Sequence, residues 1–283
     1  MKDSGTTRIA PVATLDISGM ASKFISGGRK LENLGTVDWT SGDVTGSSTV
    51  TIDNQNSFRM SGDVTLVDGG NGVPKQFFNT GTITRDTTDG VAAIEFDVEN
   101  SETIEAETGT LFLSGTLTDL TNTTLSDGTW HVASTLEFDT TSDIETLAAN
   151  VILEGQSAHF LDRDNTSILA NLATITAAGS LQLLDVADMT LPTDLQNDGH
   201  LLVGPNSILA IENDYFQSAE ARLTIEMAGA PPTGEFGRVV VTGQAALDGT
   251  LELIRLDEFL PPPGQDYEIM TFAGRVANSD FPH

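Results

Sequence analysis

The feature that most constrains this chain is a repeat too short to fold by itself. Ser41-Gly42-Asp43-Val44-Thr45 returns as Ser61-Gly62-Asp63-Val64-Thr65, and a looser pattern runs much further. It consists of an Asn, two variable residues, a Thr or Leu, and then alternating apolar positions. Copies begin at Asn33, Asn79, Asn100, Asn122 and Asn171, and Asn197 opens a candidate last copy. Asn54 or Asn56 fills the first double gap, and Asn150 fills the second. The period is then about 20 to 26 residues, the range of β-solenoid coils and of leucine-rich repeats. The leucine-rich consensus and its helical stretch are absent.

A coil of that length cannot bury its apolar side alone. Stacking gives each strand two neighbours and merges the apolar sides into one column. A second element, Gly-Thr/Ser-apolar-x-apolar, closes many coils: Gly109-Thr110-Leu111-Phe112-Leu113, Gly128-Thr129-Trp130-His131-Val132 and Gly179-Ser180-Leu181-Gln182-Leu183. Residues 91–99 alternate Ile94, Phe96 and Val98 with Glu95, Asp97 and Glu99, the period of a half-buried strand. The fold expected is therefore all-β, a parallel β-solenoid (β-helix). Roughly eight coils of about 22 residues would fit between Asn33 and Ile211, in a rod on the order of 40 Å long. An Asn at one corner of successive coils bonds the turns above and below it, so Asn79, Asn100 and Asn171 are expected at equivalent buried positions.

The chain changes character near Tyr215. The loop Ala228-Gly229-Ala230-Pro231-Pro232-Thr233-Gly234 and the run Leu260-Pro261-Pro262-Pro263-Gly264 separate longer strands, at 222–227, 238–242, 250–256 and 267–272. A solenoid needs its last coil covered, because an open end invites aggregation. The reading is thus a lead-in over 1–30, solenoid repeats over 31–214, and a C-terminal β cap or sandwich-like unit over 215–283. Val239, Val241, Leu251, Leu253, Ile269 and Phe272 would form much of the cap's core. Several motifs here stand in a characteristic order: Tyr215-Phe216-Gln217, Phe236, the run from Val239 through Thr242-Gly243 to Gly249-Thr250-Leu251, Pro263-Gly264, Tyr267 and Phe281. This quarter of the chain resembles the C-terminal part of autotransporter-type passenger domains and related bacterial surface β-helix proteins. Gly237-Arg238 stands where the family commonly has Asp after the aromatic, and no membrane barrel follows in this sequence. The resemblance implies display at the cell surface and is nearly silent on activity.

Charge and composition narrow the function. Forty-one acidic residues oppose 13 basic ones, a net charge of −28. Such a surface repels nucleic acid and anionic membranes. It attracts divalent cations, so weak calcium binding is expected at the exterior and no other cofactor. With no Cys, disulfides, thiol catalysis and zinc–thiolate sites are excluded. No apolar run is long enough for a membrane helix, and no export signal is visible near Met1.

No constellation reads as catalytic. His131, His159, His200 and His283 form no HxH or HExxH pair, and Ser157 with His159 lacks an oxyanion-hole context. The Glu95/Asp97/Glu99 stripe and Asp162-Arg163-Asp164-Asn165 are the best carboxylate clusters, but neither sits in an aromatic-rich stretch as a glycosidase groove would. Asp162-x-Asp164-x-Thr166 begins like a calcium loop and lacks its Gly and distal Glu. The Thr-x-Thr pairs Thr49/Thr51, Thr82/Thr84, Thr116/Thr118 and Thr174/Thr176 fit no single period, as an ice-binding face would require. The expectation is a non-enzymatic structural or adhesive module of the bacterial surface or extracellular matrix, with no catalytic, cofactor or metal residues. Its partners would be surface or matrix components, glycans among them, and self-association is open to it. The alternatives are a carbohydrate-active β-helix enzyme, hydrolase or lyase, and a glycan- or calcium-binding module.

Overall fold

The computed structural model describes residues 3–277 and 279–281. The chain is all-β, its strands stacked in parallel as a solenoid of about 10 turns. Among the described residues the only helical element is the 3-10 turn Pro231–Thr233, and no helix is long and apolar enough to cross a membrane. Two compact units are present. The first comprises residues 1–121, 127–141 and 159–166, and the second residues 122–126, 142–158 and 167–283.

In the first unit the coils contribute short strands to three sheets. The first sheet holds Gly5–Ile9, Arg29–Asn33, Val50–Asn54, Lys75–Asn79 and Asp97–Asn100 in that order. The second holds Thr14–Ile17, Thr36–Trp39, Ser57–Met60, Thr82–Arg85, Thr103–Ala106 and Thr129–Val132. The third runs from Lys23–Ser26 through Val44–Ser47, Thr65–Asp68, Val91–Ile94, Thr110–Leu113 and Thr135–Phe138 to His159–Leu161. Strand alternation sends every second residue inward, and parallel register stacks those residues into columns. Val37, Phe58, Ile83, Ile104 and Trp130 form one such column, all essentially inaccessible. The aromatic rings interlock edge to face, Phe58 against Phe77 at 5.0 Å and Phe138 against Phe160 at 4.9 Å, the arrangement their quadrupoles favour.

Polar columns hold the corners. Asn33, Asn54, Asn79 and Asn100 end four consecutive strands of the first sheet and are buried. Each amide donates to the carbonyl oxygen of the next, from Asn33 to Asn54, Asn54 to Asn79 and Asn79 to Asn100, at 2.7 Å each. The same amides reach backbone carbonyls of the neighbouring turns, such as Ser57 at 2.8 Å and Thr103 at 2.9 Å. The ladder expected for Asn79 and Asn100 is thus present, and Asn54 is its missing rung. Asn171 lies elsewhere: it is half-buried and donates to Asp143 at 2.5 Å. Arg85 occupies an inward position and is buried. Its guanidinium clips a corner loop, donating to the carbonyls of Met60, Gly62, Thr88 and Gly90 and to Asp63.

The second unit repeats the plan. Its second sheet orders Asn150–Glu154, Ser180–Leu184, His200–Val203, Arg222–Met227 and Thr250–Arg255. Two inward columns follow, Val151–Leu181–Leu201–Leu223–Leu251 and Leu153–Leu183–Val203–Ile225–Leu253. The corner column reads Leu147, Ile175, Asn197 and Gln217, so aliphatic rungs replace amides before Asn197 and Gln217 restore them. Buried Tyr215 joins in, donating to Gln217 at 2.6 Å and accepting from Asn197 at 3.3 Å.

Three expectations need correction. The described residues from Tyr215 onward continue the stack and form no distinct cap. Tyr215–Gln217, Arg222–Met227 and Arg238–Val241 pair in parallel with Leu195–Asn197, His200–Val203 and Ile208–Ile211, and each pairs in parallel with a further strand beyond. Coils likewise begin before residue 31, with Gly5–Ile9, Thr14–Ile17 and Lys23–Ser26. Of the six residues expected in a cap core, Val239 and Val241 are buried in the stack, whereas Leu253 and Phe272 are exposed by 52% and 38%. Finally, 91–99 is two strands, Val91–Ile94 and Asp97–Asn100, in different sheets.

Candidate functional site

The outer face of the second sheet in the first unit carries the most ordered polar chemistry. Its strands nearly all begin with Thr, so the register aligns Thr14, Thr36, Ser57, Thr82, Thr103 and Thr129 in one column. Two residues along each strand lies a second outward column, Asp16, Asp38, Arg59, Thr84, Glu105 and His131. Successive members are separated by the strand spacing of about 4.8 Å. Cross-coil bonds fix the charges. Arg59 donates to Asp86 at 2.9 Å, Ser61 to Asp38 at 2.7 Å and Thr84 to Glu105 at 3.1 Å. Burial, with the nearby charges of Glu105 and Asp86, pushes the Glu107 carboxyl above its ordinary range. The Thr column went unseen in the sequence because the strand spacing along the chain is irregular, while the register is not.

A second cluster lies on the third sheet of the same unit. Glu137, on Thr135–Phe138, and Asp139, in the bend that follows it, are two residues apart. Burial raises the Glu137 carboxyl, helped by the charges of Asp139 and Asp162. A hydrogen bond from Arg163, at 2.5 Å, holds the Asp139 carboxyl below the usual range. Asp139, but not Glu137, lines a cleft of about 290 Å³ together with Leu113, Thr116, Leu120, Phe138 and Thr140. A raised and a lowered carboxyl side by side are what acid–base chemistry requires.

Other sequence candidates are spent on structure. Glu95 accepts the Asp68 amide at 2.8 Å, and Asp97 accepts that of Thr116 at 3.1 Å. Asp162 is buried and folds its own loop. It accepts the amides of Asp164 and Thr166 at 2.9 Å each and the Thr166 hydroxyl at 2.8 Å. Burial works to raise its carboxyl, but these bonds outweigh it and hold the group low. What resembles the start of a calcium loop is a self-closed turn, and no group of three or more acidic or His side chains among the described residues is arranged to hold a metal. Ser157 sits in the turn before His159–Leu161, not on that strand, and both residues are exposed. His200 bonds Thr224 at 2.9 Å, and burial, with Arg222 beside it, lowers its pKa. His283 lies outside the described residues. The four Thr-x-Thr pairs do not line up; only Thr82 and Thr84 stand on the second sheet, and the column beside Thr82 is charged. No family model, no curated protein and no solved structure matches the chain.

Proposed function

We propose that this chain is a non-catalytic structural or adhesive module that works at the bacterial surface or in the extracellular matrix. One observation carries the reading: the second sheet of the first unit presents two outward polar columns locked in register by the coil stack. Such a face offers hydroxyls, carboxylates, Arg59 and His131 at a fixed repeat, which suits a repeating polymer such as a glycan. The buried polar side chains support it further, because they join coils and corners and leave little for chemistry. Calcium, in this reading, binds weakly at the acidic exterior.

The test is retention on immobilised glycans and matrix proteins, with and without millimolar calcium. Thr82→Val with Thr103→Val keeps the strand shape and removes two hydroxyls of the column. Retention of one polymer class, weakened several-fold by that pair, is expected; retention of none sinks the reading. A carbohydrate-active enzyme is the second reading, favoured by the split carboxyl pair Glu137 and Asp139, of which Asp139 lines the cleft. Release of reducing sugar ends from any polysaccharide, abolished in Glu137→Gln, would put that reading first.

A further inference from the structure

Among the described residues, exposed large apolar side chains fall in two places. Val12, Met20 and Phe24 lie in the first coil, and Leu253, Leu260, Phe272 and Val276 lie at or beyond the last full coil; Val91 is the single exception. At both places a parallel sheet stops at a strand with one unpaired edge. Thr14–Ile17 ends the second sheet in the first unit, and Thr250–Arg255 ends it in the second, with no further strand beside either among the described residues. An open parallel edge with its apolar column uncovered is a template for another strand.

The two ends differ in shape and charge. The first coil opens on a cavity of about 530 Å³ whose walls include Leu15, Ile17 and Ile25, with Leu31 and Val44 behind them. The last coil instead presents projecting groups, with Leu253 and Phe272 exposed and Leu251 and Met270 half-covered. The first coil, residues 1–28, carries Lys2, Arg8 and Lys23 against Asp3 and Asp16, close to charge balance in a chain of net charge −28. Residues 248–268 carry Asp248, Glu252, Asp257, Glu258, Asp266 and Glu268 against Arg255 alone.

We infer that the first coil of one molecule docks on the last coil of a second copy, continuing the parallel sheets across the junction. In that register Leu15 covers Leu251 and Ile17 covers Leu253, extending the two inward columns of the second unit by one rung. Asp16 then stands beside Glu252, the one like-charge contact on this strand pair, and Arg222 already pairs Glu252 at 3.0 Å. Charge selects this pairing over others. Two acidic last coils repel each other, whereas the first coil, close to charge balance, does not repel one. The contact is heterologous, so each docked copy leaves one free end of each kind and assembly proceeds by addition. The inference stands apart from the proposed function and holds whatever the outer face binds.

Light scattering across a concentration series tests it. The mass of the wild type rises with concentration above the 29.9 kDa of one chain. Ile17→Asp and Leu253→Asp, each alone, stay at one chain. Mixed in equal amounts they form a dimer and no more, because one retains a sound last coil and the other a sound first coil. The chain has no Cys, so a second measurement needs no background correction. Ile17→Cys and Leu253→Cys proteins, mixed and oxidised, give a cross-linked pair in several-fold excess over either protein alone. A wild type that remains at one chain throughout, or a mixed disulfide no more abundant than the self-paired ones, overturns the proposal.

Discussion

Asn54 uses its whole amide. Its oxygen accepts from Asn33, and its nitrogen donates to Asn79, Asn56 and Thr82. Asn54→Ala therefore leaves an amide above and a carbonyl below without their mutual partner in a buried column, and a stability loss of about 1–3 kcal/mol is expected. Asn171→Ala, at a half-buried position bonded to Asp143, should cost less; equal losses in denaturant titrations would refute the ladder as a distinct stabilising element. At the far end of that ladder the first sheet stops, and the Asp119 carboxylate accepts the hydrogen bond of the Asn100 backbone N–H at 2.6 Å. It stands where a strand carbonyl would. Burial, with Glu99 and Asp127 nearby, raises its pKa to about 6 against the pull of that bond. The folded value lies above the unfolded one. The group's contribution is thus fully present below about pH 4, is lost as pH climbs through about 6, and stays lost above. Asp119→Asn keeps an oxygen to accept the amide and removes the charge. The variant should melt above the wild type at pH 8 and level with it at pH 4. A variant melting below the wild type at pH 8 would mean that the ionised carboxylate, not the acceptor geometry, is what the corner needs.

The corners between strands decide the coil path, and two glycines show how. Gly128 has φ +80°, and a Cβ there would sit 2.3 Å from the Asn100 side-chain nitrogen and 2.5 Å from the Asn100 backbone carbonyl oxygen. Gly155 has a similar φ of +85° with nothing within 4 Å. Gly155→Ala should cost only the left-handed backbone penalty, roughly 1–2 kcal/mol. Gly128→Ala adds a clash with backbone and the ladder's last rung, so its melting temperature should fall further. Similar melting temperatures for the two variants would show that coils slide to absorb a methyl group. Such corners are also why the sequence was only partly legible. Period 2 survives a corner, so residues 91–99 read as one strand although the chain turns between Ile94 and Asp97. The repeated Ser-Gly-Asp-Val-Thr is offset by 20 residues, yet Val44 pairs with Leu66 and not with Val64. Strand length misled as well. Arg222–Met227 and Thr250–Arg255 are longer than most strands before them, which read as a change of fold but reflects wider coils of the same one. The Asn column was visible because buried amides tolerate few substitutes at such a corner. The outer columns were not, since Asp16, Asp38, Arg59, Thr84, Glu105 and His131 share no residue type.

At the scale of the whole molecule, each unit is stabilised by its apolar columns, and the chain is strained by its own charge. Only 13 cations face 41 carboxylates, and several of those cations are already committed. Arg85 and Lys75 are buried at corners, and Arg59, Arg163 and Arg222 each pair with a carboxylate. Most acidic groups therefore repel one another across an exterior where parallel register brings successive coils within about 5 Å. Ions screen such repulsion over a Debye length of about 10 Å at 0.1 M salt. Salt also weakens the exposed ion pairs, but these are worth less than about 1 kcal/mol each and are outnumbered. The melting temperature should consequently rise as sodium chloride is increased from low to moderate concentration. Calcium chloride should raise it more at equal ionic strength, because a divalent ion bridges neighbouring carboxylates without needing a complete ligand loop. That gain should saturate only in the millimolar range, and calorimetry should find no tight stoichiometric site. A melting temperature that falls with salt would mean that the ion pairs outweigh the unpaired carboxylates. A calcium titration complete at submicromolar concentration would mean that the exterior holds a true site.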